Sequence, residues 1–158
     1  MPSFSWNVAA PVTVPPPPSV IAPTVAQAPL GTDVSTVPDL DGYFRLMTGL
    51  RVVGEALLRR LTTPPGGLFY DPDYGYDIRG LLNAPLTSAD LARARIRIVA
   101  ECQKDERVDT VEADLALNES TGRLTLSLLV ATAAGPFKLT AAVSAVTVEL
   151  LSFTEANS

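Results

Sequence analysis

The sequence predicts an α+β domain in which two helices pack on an antiparallel β-meander of about three strands. Apolar residues recur every three or four positions from about residue 41 to 61 and again from about 87 to 104, the period of amphipathic helices. After Arg107 the apolar period changes to two, as in half-buried strands. A proline-rich segment without charge precedes these patterns and predicts an extended arm.

Composition restricts the chemistry of the chain. Its 158 residues suit one domain, and 47 % hydrophobic with 18 % charged residues is a globular balance. The net charge of -5 argues against a nucleic-acid partner. There is no histidine and one cysteine, Cys102, which excludes Cys/His nucleophile pairs, the usual zinc ligand sets and a disulfide within the chain. Composition therefore indicates no cofactor, no metal site with the usual zinc ligands and no Cys- or His-based catalytic residue.

Targeting signals are not evident in the sequence. No Lys or Arg precedes the first apolar residues, and prolines interrupt every apolar run near the N-terminus. We therefore expect neither a signal peptide nor a membrane span, and expect the protein to be made and kept in the cytoplasm.

The predicted arm covers residues 1–32, and the predicted domain covers residues 33–158. The arm has no charged residue and eight of the fourteen prolines. Such a segment cannot fold on itself, so one interpretation is a tail without a partner. Its apolar residues, among them Phe4 and Trp6, favour a segment that a partner covers.

Two helices are predicted in the body. The first runs from about Asp41 to Leu61, with Asp39 or Asp41 as its cap, and the prolines and glycines of residues 62–67 end it. The second begins at the capping-box pattern of residues 87–90 and extends to about Lys104. Its apolar face includes Cys102, which we interpret as a small core residue.

Strands follow the second helix. Residues 111–117 and 124–130 alternate apolar and polar residues across a turn, and a Gly-Pro turn leads into a last segment, 137–151. The apolar phase of that segment slips at Ala145–Val146, which predicts one long strand with a bulge or bend. A long last strand exposes backbone groups with which another chain can pair; the alternative is a bent strand that is satisfied within its own sheet.

Acidic residues occur in two places. Asp71, Asp73 and Asp77 surround Gly75, but the glycine and glutamate spacing of a calcium loop is missing, so we interpret these acids as turn residues. Asp105, Glu106 and Asp109 raise the alternative of a two-carboxylate glycosidase. The neighbouring Lys104 and Arg107 favour ionised acids in a solvated turn.

Two stretches carry a family resemblance: "LLRRLTTPPGGLFYDPDYGYDIRGLLNAP" and "ECQKDERVDTVEADLAL". Together they resemble the small baseplate wedge and sheath-initiator proteins of contractile-tailed phages and related injection systems, which have also been described as lysozyme-like. The family pattern is a Leu-Thr-x-x-Gly turn, a Pro-x-Tyr/Phe-Gly motif and a Glu-Pro-Arg turn. The matching loop residues are Thr62, Gly66, Pro72, Tyr74 and Gly75. Arg107 matches the third motif, but Asp105–Glu106 replaces Glu-Pro, and Gly67 stands where the family often has Glu-Arg.

The resemblance, which covers about residues 41–151, implies a structural protein of the tail baseplate, assembled in the host cytoplasm and present in the virion. It implies that Asp105, Glu106 and Arg107 anchor larger wedge proteins. It further implies a strand edge for sheath protein strands, for which the candidate residues are Phe137, Leu139, Val146, Val148 and Leu150. We expect the loop of residues 62–79 to act as a rigid connector, as an aromatic contact surface, or as both.

The arm lies outside the resemblance. We expect it to bind adjacent wedge subunits, with tail hub or tube proteins as further candidates. Two other classes of function remain: an assembly adaptor or chaperone that is absent from the final particle, and a peptidoglycan-acting enzyme.

Overall fold

The structure, a computed structural model, describes residues 30–35 and 46–155. Phe4, Trp6 and the proposed helix caps Asp39 and Asp41 lie outside the described residues. The elements in chain order are β1 (Thr32–Val34), β2 (Leu46–Thr48), α1 (Leu50–Thr62), a 3₁₀ helix (Ile78–Asn83), α2 (Ser88–Cys102), β3 (Thr110–Asn118), β4 (Arg123–Thr132), β5 (Gly135–Val143) and β6 (Val148–Glu155). The predicted α+β class is confirmed.

The main sheet is antiparallel, with strand order β3-β4-β5-β6. Alternate residues of β3, β4 and β5 face the helices and are buried. They are Val111, Ala113, Leu115, Leu124, Leu126, Leu128, Val130, Phe137, Leu139, Ala141 and Val143. α1 contacts β5 and β6, and α2 contacts β3, so both helices cover the same face. The sheet therefore has one core face and one solvent face, as its alternating sequence predicts.

The prediction of one long strand over residues 137–151 is wrong. The segment is a hairpin, β5 and β6, with Val143 paired to Val148. The Ser144 amide donates to the Thr147 carbonyl oxygen at 2.8 Å, and the Thr147 amide donates to Ser144 Oγ at 2.9 Å. The phase slip at Ala145–Val146 marks this reversal of the chain, so the meander has four strands. A bulge does occur, but in β6, where the register skips Leu151.

The first helix begins at Leu50, nine residues after the predicted start. Gly49 has φ +75°, which ends any helical run from the N-terminal side, and Leu46–Thr48 pairs with β1 instead. Leu46 continues the apolar spacing of the helix by chance, since its side chain is 67 % exposed.

The predicted end of this helix and the capping box of α2 are both found: the Asp90 amide donates to Thr87 Oγ1, and the Thr87 amide donates to Asp90 Oδ2.

α1 lies unusually close to β6. A Cβ atom added to Gly54 would sit 2.8 Å from Cε2 of Phe153, so the absence of a side chain there allows the ring to pack against the helix. Phe153 also packs on Phe137, with ring centroids 5.1 Å apart. Glycine in the middle of this helix is therefore explained by packing against β6.

Described residues on both sides of the predicted boundary at residue 33 pack on the body. Leu30 is 2 % exposed and belongs to the hydrophobic core, and β1 begins two residues later, after Gly31. An ion pair between Asp33 and Arg59 adds a second link between this segment and α1. Residues 30–35 thus hold the C-terminal end of the arm on the domain. Within the described residues, no helix is both long and apolar enough to cross a bilayer.

Candidate assembly interface at the helix ends

The loop after α1 folds back on the end of that helix. The Gly66 amide donates to the Pro72 carbonyl oxygen at 2.8 Å, which closes the proline-rich turn. The Tyr76 amide donates to the Arg60 carbonyl oxygen and the Asp77 amide to that of Thr63, each at 3.2 Å. These bonds satisfy carbonyl groups that the end of a helix leaves free. The prediction of a loop with one fixed shape is consistent with this bonding.

Gly75 is the point of closest approach between this loop and α1. Its φ is +102°, and a Cβ atom there would lie 2.1 Å from the Thr63 carbonyl oxygen. Its amide points the other way and donates to Oε1 of Glu101 at 3.0 Å, a bond that is buried. Only glycine fits this position, which accounts for the glycine of the Pro-x-Tyr-Gly motif.

Glu101 is a buried carboxylate near the end of α2, with a side chain that is 8 % exposed. Besides the Gly75 amide, Oε1 accepts from Arg60 Nη1 at 2.9 Å, and Oε2 pairs with Lys104 Nζ at 2.7 Å. Burial raises the pKa of Glu101, but the hydrogen bonds from Lys104, Gly75 and Arg60 outweigh burial and hold the pKa below its ordinary value. The group is therefore ionised and joins α1, the loop and α2.

Two further contacts connect the same elements. The guanidinium carbon of Arg60 lies 4.2 Å from the centre of the Tyr74 ring, a cation–π contact. Lys104 Nζ also donates to the Asp73 carbonyl oxygen at 3.0 Å. The loop residues Asp73, Tyr74 and Gly75 thereby form one connected polar cluster with Glu101 at the end of α2 and with Lys104, which follows that helix.

The acid–arginine turn lies next to this cluster. Arg107 makes a two-pronged contact with Asp105, from Nε at 2.8 Å and from Nη2 at 2.6 Å. Its third nitrogen, Nη1, donates to the Leu30 carbonyl oxygen at 3.2 Å. The Val108 amide donates to the Asp105 carbonyl oxygen at 3.0 Å, so the turn closes without the proline of the family pattern. Glu106, the third predicted anchor residue, is exposed on this turn.

The electrostatics of this turn follow from the pairing. The hydrogen bond from Arg107 lowers the pKa of Asp105 by more than burial raises it. The same bond raises the pKa of Arg107. Both groups therefore stay charged, and Asp105 is a fixed acceptor for Arg107.

The residues predicted to offer a strand edge are divided by the structure. Phe137 and Leu139 are fully buried on β5, which pairs on both sides, so they do not belong to an edge. Val148 and Leu150 are half-buried on β6, which among the described residues pairs only with β5. Val146 is 79 % exposed in the turn between these strands. Of the predicted strand residues, only Val148 and Leu150 thus lie on an edge strand, β6; the opposite edge of the sheet is β3.

One of the predicted turn acids of the loop, Asp77, has a local backbone partner. Asp77 caps the 3₁₀ helix by accepting from the Gly80 amide, as its interpretation as a turn residue requires. In residues 30–35 and 46–155 there is no group of three or more acidic or cysteine side chains placed to hold a metal ion. Cys102 is fully buried, and burial raises the pKa of its thiol to about 12.

Glu101 is the residue of the candidate site that sequence reasoning missed. It follows Ala100 on α2 and precedes the charged run 104–107, so it looks like one more surface acid. The only signal in the sequence is the spacing of three residues to Lys104, a pattern common on exposed helices. Its role depends on the Gly75 amide, which is 26 residues away and is brought to it by the loop.

Comparisons with known proteins give a likeness to a solved structure. No family model matches the chain, and neither does any curated protein. A chain of the solved structure described as "The baseplate complex from the type VI secretion system" aligns with a TM-score of 0.49 and 18 % sequence identity. The alignment covers 60 % of this chain and 93 % of that chain.

Replacement of Gly75 by alanine tests the close approach of the loop to α1. A left-handed backbone costs about 1–2 kcal/mol for an alanine, and the contact with the Thr63 carbonyl oxygen adds an overpacking cost of about 1–3 kcal/mol. We expect Gly75→Ala to lower the free energy of unfolding, measured by urea titration, by the sum of the backbone cost and the overpacking cost. The control is Gly66→Ala, where φ is +76° but no atom lies within 4 Å of the added Cβ. Equal losses in the two variants would contradict the packing described for Gly75.

The dependence of the free energy of unfolding on pH tests whether Glu101 is a buried, ionised carboxylate. A carboxylate whose pKa is lowered by folding stabilises the fold above its unfolded pKa, near 4.5, and this contribution is lost as pH falls through the lower, folded value. We expect Glu101→Gln to be less stable than the wild type at pH 7 by about 1–3 kcal/mol, the cost of buried partners left without an ionised acceptor. The difference should narrow below pH 4.5. Glu112→Gln, at an exposed position of β3, is the control; a difference for Glu101→Gln that stays constant from pH 7 to pH 3 would contradict the account.

Proposed function

We propose that this chain is a structural component of a contractile-tail baseplate. In this role, it binds larger wedge proteins through the surface at the helix ends and offers the free edge of β6 to strands of the sheath protein. The observation that carries the proposal is the meeting of three sequence segments, 61–66, 72–75 and 105–108, at one place in the fold. These segments are the ones on which the family resemblance depends.

Rigidity supports an interface at this place. The Glu101 carboxylate binds Gly75 in the second segment, and it binds Arg60 and Lys104, the residues that directly precede the other two segments. These bonds fix where the three segments lie relative to one another. A surface that is already ordered loses little conformational entropy when it binds a partner, so more of the contact energy appears as affinity. The cluster is therefore suited to a permanent contact in a large assembly.

Arg107 has donors left for a partner. A guanidinium carries five N–H groups, and the contacts with Asp105 and Leu30 use three of them. The side chain is 25 % exposed, and Glu106 beside it is exposed as well. A partner carboxylate or carbonyl group can accept the remaining bonds while Asp105 keeps the guanidinium oriented.

The state of Asp105 favours a structural role over glycoside hydrolysis. A glycosidase needs one carboxylic acid with a raised pKa, so that it holds a proton for the leaving group. Asp105 has a lowered pKa and is occupied by Arg107. The chain is thus proposed to have no catalytic residue.

The edge of β6 is suited to strand addition. An edge strand presents unpaired backbone groups, and a strand from another chain can bond to them with little dependence on its side chains. Leu151, at the bulge, is 57 % exposed on this strand. Packing of Phe153 between α1 and β5 holds the strand in place behind that edge.

Co-purification tests both contacts. The chain is co-expressed with the larger wedge protein encoded nearby, and the mass of the complex is measured by light scattering. We expect Arg107→Ala to dissolve the complex and the control Arg123→Ala, at an exposed arginine of β4, to leave it intact. For the sheath contact, Leu151→Lys places a charge on the edge strand and should block binding of sheath protein, whereas Leu129→Lys, at an exposed leucine of the internal strand β4, should not.

A wild-type chain that stays monomeric with the wedge protein would contradict the baseplate proposal. Mass spectrometry of purified tails gives a separate check. Absence of the chain from finished particles would replace the proposal with an assembly adaptor.

A further inference from the structure

A groove opens beside the place where the described chain begins. Leu30 and Gly31 line one side of it, and Arg60, Lys104 and the 105–107 turn line the rest. Residues 1–29 lie outside the described part, and they join the domain at this groove through Leu30. Leu30, the first described residue, therefore lies at the rim of the groove.

The groove is rich in hydrogen-bond donors. Arg60, Lys104 and Arg107 bring three cationic side chains to it, and one of them already binds the main chain of the arm: Arg107 Nη1 donates to the Leu30 carbonyl oxygen. An extended proline-rich segment has no internal hydrogen bonds, so its carbonyl groups are free to accept. Residues 20–29 include Pro23 and Pro29 and no charged residue. They therefore offer carbonyl oxygens as acceptors and no side-chain charge that could form an ion pair instead.

An exposed aromatic pair lies on the loop that adjoins the groove. Phe69 is 94 % exposed and Tyr70 is 71 % exposed, and their rings meet edge to face with centroids 5.2 Å apart. The bond from Lys104 Nζ to the Asp73 carbonyl oxygen connects the groove to this loop. Proteins recognise extended proline-rich chains with aromatic rings and with hydrogen-bond donors.

We propose that residues 20–29 of this chain bind along its own groove and reach the Phe69–Tyr70 pair. Ten residues in an extended proline-rich form span about 30 Å, comparable to the width of a domain of this size. A second copy of the chain would compete poorly, because attachment at Leu30 gives the segment an effective concentration in the mM range. The inference goes beyond the baseplate proposal and does not depend on it. Both place a contact at the 105–107 turn, so a wedge protein bound there would lie beside the arm or displace it.

Tryptophan quenching in the full chain tests the contact. Trp6 is the only tryptophan, so Trp6→Phe combined with Val25→Trp places a single reporter inside the segment. We expect acrylamide to quench this reporter several-fold less than a tryptophan in a free peptide of residues 20–29 that carries the same substitution. Adding Phe69→Ala and Tyr70→Ala should raise quenching to the level of the peptide. The matched control adds Ile96→Ala and Val146→Ala, at exposed apolar residues away from the groove, and should change nothing.

Three results would overturn the proposal. The first is a reporter quenched as fast as the free peptide, and the second is protection that survives loss of Phe69 and Tyr70 while the melting temperature is unchanged. The third is protection that grows with protein concentration together with the mass measured by light scattering, since that result assigns the segment to a second copy. None of these outcomes involves a baseplate partner, so failure here is distinct from failure of the proposed function.

Discussion

The arrangement of the helix ends depends on one buried carboxylate. Glu101 is removed from water, which is unfavourable for a charge unless hydrogen bonds and opposite charges replace the water. Three donors do so: the Gly75 amide, Arg60 and Lys104. The Gly75 amide comes from the loop, Arg60 comes from α1, and Lys104 follows the end of α2, on which Glu101 itself lies. The requirement to satisfy a single charge therefore sets how the loop and α1 meet the end of α2.

Other features follow from that meeting. With the loop fixed against α1, Arg60 lies under the Tyr74 ring and Lys104 reaches the Asp73 carbonyl oxygen. These contacts fix the position of the end of α2. Arg107 lies only three residues after Lys104, so the turn that carries it is positioned as well. Arg107 in turn holds Leu30, where the arm joins the body. A chain of polar contacts therefore leads from the loop to the arm.

Sequence periodicity predicted the fold class because each element here has a regular apolar face. It placed the start of α1 too early, since Leu46 has helical spacing although Gly49 interrupts the helix. The periodicity predicted one strand where there are two, because the Ser144–Thr147 turn lacks the Gly, Asn or Pro that marks most hairpins. The motif residues of the loop were found from the sequence. Glu101 was not, because its burial is created by Gly75, and contacts between distant segments leave no local pattern.

The most direct measurement is amide hydrogen exchange at Gly75. If its N–H is bonded to a buried, ionised Glu101, exchange requires opening of the cluster, and the amide should be protected as strongly as those of the internal strand β5. Exchange as fast as that of unprotected loop amides, in a chain whose β5 amides remain protected, would show that the loop is not held by Glu101 and would contradict the account.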